Sequence, residues 1–202
     1  IGMNMTTNIF KLITVAILAF PGVGCVTGNR VLADTLTETL YTLPFKDARI
    51  PVAVVDTGID FTNSKVTPYL CNSGHVDFTG EGLYDYKGHG TNVAWQIIKS
   101  FNSKKYCILV IKYFPRSQFD FNNLKYELKG LEYAISLKSA LINFSGGGTS
   151  FSEEEKDLIS KALKMGIKVV VAAGNHSTDL DKGCNFYPAC LYKNKKNFHV
   201  VG

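Results

Sequence analysis

The order of residues predicts an α/β fold: a three-layer, mostly parallel sheet with helices on both faces. Three observations carry the prediction. Continuous β-branched runs such as Ile50-Pro51-Val52-Ala53-Val54-Val55 fit strands buried on both faces. Segments of helical periodicity alternate with those runs. Polar or Gly-rich triplets fall where the runs stop: Asp56-Thr57-Gly58, Ser145-Gly146-Gly147 and Ala173-Gly174-Asn175. Ligands of such sheets sit beyond the carboxyl ends of the strands, so these triplets mark one site.

Each element has its own signal. After the first strand, turn formers over 61–88 predict loop with short strands. Val93, Ala94, Ile97, Ile98 and Phe101 predict a helix over 92–100, and Tyr106-Cys107-Ile108-Leu109-Val110-Ile111 a second strand. Leu124, Leu128, Leu131 and Ile135 predict a helix over 123–136, capped by Asn122 or Asn123. Ala140 to Phe144 reads as a short strand. Ser152 caps the clearest helix: Glu153, Glu154 and Glu155 complement its dipole, Leu158, Ile159, Ala162 and Leu163 form its apolar stripe, and Gly166 ends it. Ile167 to Ala173 is another buried strand, and a last one begins at Phe198.

Composition narrows the class. The chain has 202 residues, 46% of them hydrophobic, which is too apolar for a disordered protein and enough for a sizeable core. Its net charge of +5 is spread thinly, with no concentrated basic face or nucleic-acid module, so no nucleic-acid partner is expected. No Gly-x-Gly-x-x-Gly or Walker motif follows a strand, which speaks against a nucleotide site. Cys71 with His75 and His89 makes only a loose zinc pattern.

The N-terminus reads as an address. Lys11 precedes the apolar run Leu12 to Phe20, too short to span a bilayer and suited to a signal peptide over 1–25. Gly24-Cys25 resembles a lipoprotein signal, leaving a lipid anchor through Cys25 open. Residues 26–49 read as a leader. An exported protein is expected, secreted, periplasmic or held at the cell envelope. Such a protein can pair its cysteines, and Cys184 with Cys190 is the favoured bridge. Cys107, inside an apolar run, reads as a buried free thiol by default, although the pairing among Cys71, Cys107, Cys184 and Cys190 stays open.

The chemistry-bearing residues gain meaning together. Asp56 ends a buried strand, where a carboxylate needs a partner such as an imidazole N–H. His89, in Gly88-His89-Gly90-Thr91, can serve as a general base. Asn175 could donate its amide to an oxyanion. Ser145-Gly146-Gly147-Gly148 leaves backbone open to an added peptide strand. Taken singly, each also fits a surface turn.

In this order, Val54-Val55-Asp56-Thr57-Gly58, Gly88-His89-Gly90-Thr91, Asn143-Phe144-Ser145-Gly146-Gly147 and Ala172-Ala173-Gly174-Asn175 resemble the subtilisin-like serine peptidases, the subtilases. The likeness runs over about 50–202. It implies a subtilisin-like domain, with Asp56 as catalytic aspartate, His89 as general base and Asn175 as oxyanion-hole amide. It implies that Ser145, Gly146 and Gly147 pair with a polypeptide substrate, and that Ala173 and Gly174 wall the primary specificity pocket. No cofactor is required. Many members bind calcium, for which Asp60 is at most a weak candidate, so no metal ligand is assigned. A monomer is expected.

The chain departs from the family pattern. Only 27 residues follow Asn175, and none supplies the Gly-Thr-Ser nucleophile motif. Gly148-Thr149-Ser150 precedes Asn175 and continues into Phe151-Ser152-Glu153, so it is rejected. Asn92 and Trp95 replace a usual His and Gly after His89. The expectation is a serine endopeptidase domain incomplete at its C-terminus and inactive as this chain alone. The alternative is a non-catalytic subtilase-like domain that binds peptides.

Overall fold

The computed structural model describes residues 45–117, 122–175, 179–192 and 195–202. The signal peptide, most of the leader and the anchor at Cys25 lie outside the described residues. Contacts separate Ile1–Thr42 from Leu43–Gly202, and every described residue belongs to the second unit.

Six strands form one parallel sheet: β1 (Ile50–Asp56), β2 (Val76–Asp77), β3 (Tyr106–Lys112), β4 (Leu141–Phe144), β5 (Lys168–Ala172) and β6 (Phe198–Val201). Their order across the sheet is β2-β3-β1-β4-β5-β6. Three helices connect them: α1 (His89–Ile98), α2 (Asn123–Ser136) and α3 (Glu153–Lys164).

Strand periodicity sends alternate residues to opposite faces. Val52, Val54, Ile108 and Val110 pack with Ala94 and Ile98 of α1. Val55 and Ile111 point the other way, against Gly130 of α2. The central strands are therefore buried on both sides, which is why they read as unbroken apolar runs.

The local signals mostly match the elements. Ser152 caps α3, its hydroxyl accepting from the Glu155 N–H at 3.1 Å. Asn122 occupies the N-cap of α2 but makes no side-chain cap hydrogen bond, contrary to the capping expected of Asn122 or Asn123. Helix α1 begins at His89, three residues before the expected start, because Gly88 turns the chain at φ +72°.

Two disulfides cross-link the domain. Cys184 is bonded to Cys190, the bridge favoured by the sequence. Cys71 is bonded to Cys107, which corrects the free-thiol expectation. Cys107 is buried as expected, but the loop before β2 runs beside β3, with the Cys71 N–H donating to the Ile108 carbonyl at 2.9 Å. Among the described residues no helix is long and apolar enough to cross a membrane.

Candidate active site

The sheet reverses its winding at β1, whose neighbours are β3 on one side and β4 on the other. A crevice at the carboxyl end of β1 follows from that topology. Val55 pairs with Phe144, and Phe144 pairs with Val171. Asp56, Ser145 and Ala172 therefore leave the sheet side by side.

Asp56 is 4% exposed and receives His89 directly: Nδ1 of the ring lies 2.7 Å from Oδ1. The Thr57 N–H donates to the same oxygen at 2.7 Å. The His89 side chain is 53% exposed, so one ring edge is fixed by a buried carboxylate while much of the ring faces solvent. With Nδ1 donating to the carboxylate, Nε2 is left as the basic nitrogen. The Asp56 hydrogen bond raises the imidazole above its ordinary 6.5; desolvation opposes this, and the charges of Asp56 and Asp85 add to it.

Close backbone approach makes this pair fit. A Cβ on Gly90 would collide with the Gly58 carbonyl and lie 3.2 Å from Asp56 Oδ1. The second glycine of Gly88-His89-Gly90 thus lets α1 press onto the end of β1.

The sequence pattern does not single out Asp85, which holds the loop before His89. Its Oδ1 accepts the Thr57 hydroxyl at 2.7 Å and the N–H groups of Gly88 at 2.8 Å and Lys87 at 3.1 Å. Its Oδ2 accepts the Thr91 N–H at 2.8 Å and the Thr91 hydroxyl at 2.7 Å. The Thr57 hydroxyl in turn accepts the Gly90 N–H at 2.9 Å. Burial pushes the Asp85 carboxyl up; the hydrogen bonds from Thr91, Thr57 and Lys87 outweigh it and leave the group below its ordinary value. The strand end and the histidine turn are thereby one bonded unit. No local pattern announces it, since a lone Asp in a turn is common.

The other expected residues lie on the same rim. Ser145 follows β4, and its hydroxyl accepts the Asn143 side-chain amide at 2.8 Å. Gly146 and Gly147 continue from it, Gly147 being exposed. Ala173, just past β5, donates its N–H to the Val201 carbonyl at 2.8 Å. Gly174 follows with φ +91°, and Asn175 is exposed. The structure brings Asp56 and His89 into contact; it sets Ser145 to Gly147 and Ala173 to Asn175 beyond the neighbouring strands.

Metal readings fare differently. His75 spends both ring nitrogens, Nε2 on the Cys71 carbonyl at 2.9 Å and Nδ1 on the Val110 N–H at 3.0 Å, while Cys71 is bonded to Cys107. The zinc pattern is thereby dismantled. Asp60 uses Oδ1 on the Thr62 N–H and hydroxyl, at 2.8 and 2.7 Å. Among the described residues, the one group of three potential ligand residues is Asp47, Cys71 and Cys107, and its two sulfurs form the disulfide.

Comparison with known proteins agrees with this architecture. A family model described as the subtilase family matches residues 47–197. Subtilisin amylosacchariticus of Bacillus subtilis subsp. amylosacchariticus is 30% identical over 171 residues, covering 78% of this chain and 42% of its own. The major intracellular serine protease of Bacillus subtilis (strain 168) is 30% identical over 143 residues, 64% of this chain and 44% of its own. The chain thus spans less than half the length of these relatives. Among solved structures, a lanthipeptide protease superposes with a TM-score of 0.62 at 23% identity, covering 76% of this chain and 48% of that one. A psychrophilic protease gives 0.55 at 22% identity, over 76% and 53%. With a matching family model across most of its length, this chain belongs to the subtilase family of peptidases.

Proposed function

We propose that this chain supplies the Asp–His half of a serine-type endopeptidase centre. The observation that carries the reading is the 2.7 Å contact between a buried Asp56 and a half-exposed His89. In the proposed reaction a serine hydroxyl attacks the peptide carbonyl and His89 Nε2 takes its proton. Asp56 keeps the ring in that tautomer and stabilises the imidazolium. The Asn175 amide supports the oxyanion, and Ser145 to Gly147 pair with the substrate backbone. His89 then protonates the leaving amine, and water hydrolyses the acyl-enzyme.

Among the described residues no hydroxyl hydrogen-bonds His89, and Ser150 sits on an exposed bend. The proposed nucleophile is therefore a serine outside the described residues; because no Gly-Thr-Ser motif follows Asn175 in this sequence, the reading takes this chain alone to be inactive. The same observation favours the second reading, a peptide-binding domain without catalysis. Two disulfides suit an oxidising compartment and support export.

A fluorophosphonate probe separates the readings. The 202-residue chain is expected to remain unlabelled. An in-frame continuation bearing a Gly-Thr-Ser motif should label, and His89→Ala should abolish that labelling. A continuation without such a serine, or labelling of the chain alone, sinks the proposal.

A further inference from the structure

We propose that Phe186 fills the primary side-chain pocket and restricts it to substrates whose side chain there is hydrogen or methyl. The inference rests on the peptidase reading, in which Ser145 to Gly147 and Ala173 to Gly174 flank the substrate.

The ring lies between those two flanks. A Cβ on Gly147 would sit 2.7 Å from Cε1 and Cζ of Phe186. A Cβ on Gly174 would sit 3.2 Å from Cγ, Cδ1 and Cε1 of the same ring. Both distances are tighter than ordinary van der Waals contact, and the Tyr187 carbonyl oxygen would lie 2.5 Å from the same Cβ on Gly147, so the ring and its segment pack directly against flanks that lack side chains there. The gap between the exits of β4 and β5 is thus filled by an aromatic ring from a third segment.

That segment is pinned on both sides of the ring. The Phe186 N–H donates to Cys190 Sγ at 3.2 Å, and the Cys190 N–H donates to the Phe186 carbonyl at 2.9 Å. The Cys184–Cys190 bridge closes this short loop. Next to it, the Tyr187 N–H donates to the Gly148 carbonyl at 2.7 Å, and the Gly148 N–H donates back to the Tyr187 carbonyl at 2.9 Å. Phe186 is therefore anchored to the strand-edge segment that the substrate would pair with. Close-packed groups with pinned backbones do not yield without strain, so a large incoming side chain meets the ring.

The test uses the 202-residue chain and two peptides, acetyl-Ala-Ala-Ala and acetyl-Ala-Ala-Phe. Binding is followed by NMR at the Gly147 and Gly174 amides. The Ala-ending peptide is expected to bind at least about tenfold more tightly, as for a side chain that does not fit its pocket. Phe186→Gly should reverse that order, and Phe186→Leu, which keeps most of the packing, should narrow it. Retention of the His89–Asp56 proton resonance shows that each variant is folded. Equal affinities in the unaltered chain overturn the inference, as does an unchanged ratio in the folded variants. If neither peptide shifts Gly147 or Gly174 in any of the proteins, the peptide-edge reading itself has failed, and this inference falls with it.

Discussion

Two buried acidic regions of this molecule hold their protons in opposite ways. Asp85, in the turn before His89, is 5% exposed, and Glu155, on α3, is 4% exposed. Asp85 accepts five hydrogen bonds and lies below its ordinary titration value. Glu155 faces Glu127 of α2; burial pushes both carboxyls up, and their mutual hydrogen bond needs a proton. Among the described residues, Glu127 Oε1 is buried with no hydrogen-bond partner. Equal burial thus gives a carboxylate where backbone N–H groups converge, and a protonated acid where two helices offer only another acid. Donor supply, not depth, sets the charge.

The largest test of that contrast is Asp85→Ala. It strands the N–H groups of Gly88, Lys87 and Thr91 and should cost more than about 3 kcal/mol in urea unfolding. The helix pair should show the opposite pH response. Folded Glu127 keeps a proton that the unfolded chain releases near 4.5. Its contribution is full below that value and declines as pH rises through the folded value, by up to about 1.4 kcal/mol per pH unit. Glu127→Gln should flatten that decline. Asp85 runs the other way: its contribution is present above 3.8 and is lost as pH falls through the lowered folded value.

Thr57→Val removes one donor to Asp85 and the acceptor of the Gly90 N–H; about 1 kcal/mol is expected in the same measurement. The smallest effect on stability, and the sharpest on the site, is Asp56→Asn. It should lower the titration point of His89, read by NMR, whereas Glu127→Gln leaves it in place. Because the ring is raised, its stabilising contribution is present below 6.5 and lost above the folded value; half-exposed, it is screened by solvent and small.

Strands β1, β3 and β5 and helices α2 and α3 are legible in the sequence because their signals are local, periodicity and caps within one segment. Periodicity alone shortens helix α1, because His89 and Gly90 are poor helix formers and the Gly88 turn that starts it is a backbone property. Asp56 and His89 stand out through compact motifs at strand ends. Asp85 does not, since its partners come from Thr57 as well as from its own turn. Phe186 lies between glycines from two other segments, a juxtaposition only the fold creates. Cys107 looks like core because it is core; its partner Cys71 arrives from a loop 36 residues away.

That last bridge reaches beyond folding. The span it closes contains Asp85, His89 and the whole of α1. The stretch from Gly80 to Lys87 inside that span is largely exposed, the kind of segment a peptidase cuts first. A single nick there leaves the two pieces joined, with His89 still tethered to the strand that carries Asp56. In a reducing milieu the same cut leaves them held by packing and by the pairing of β1 with β3 and β4 alone. Survival under proteolytic attack is thereby tied to the thiol balance of its surroundings.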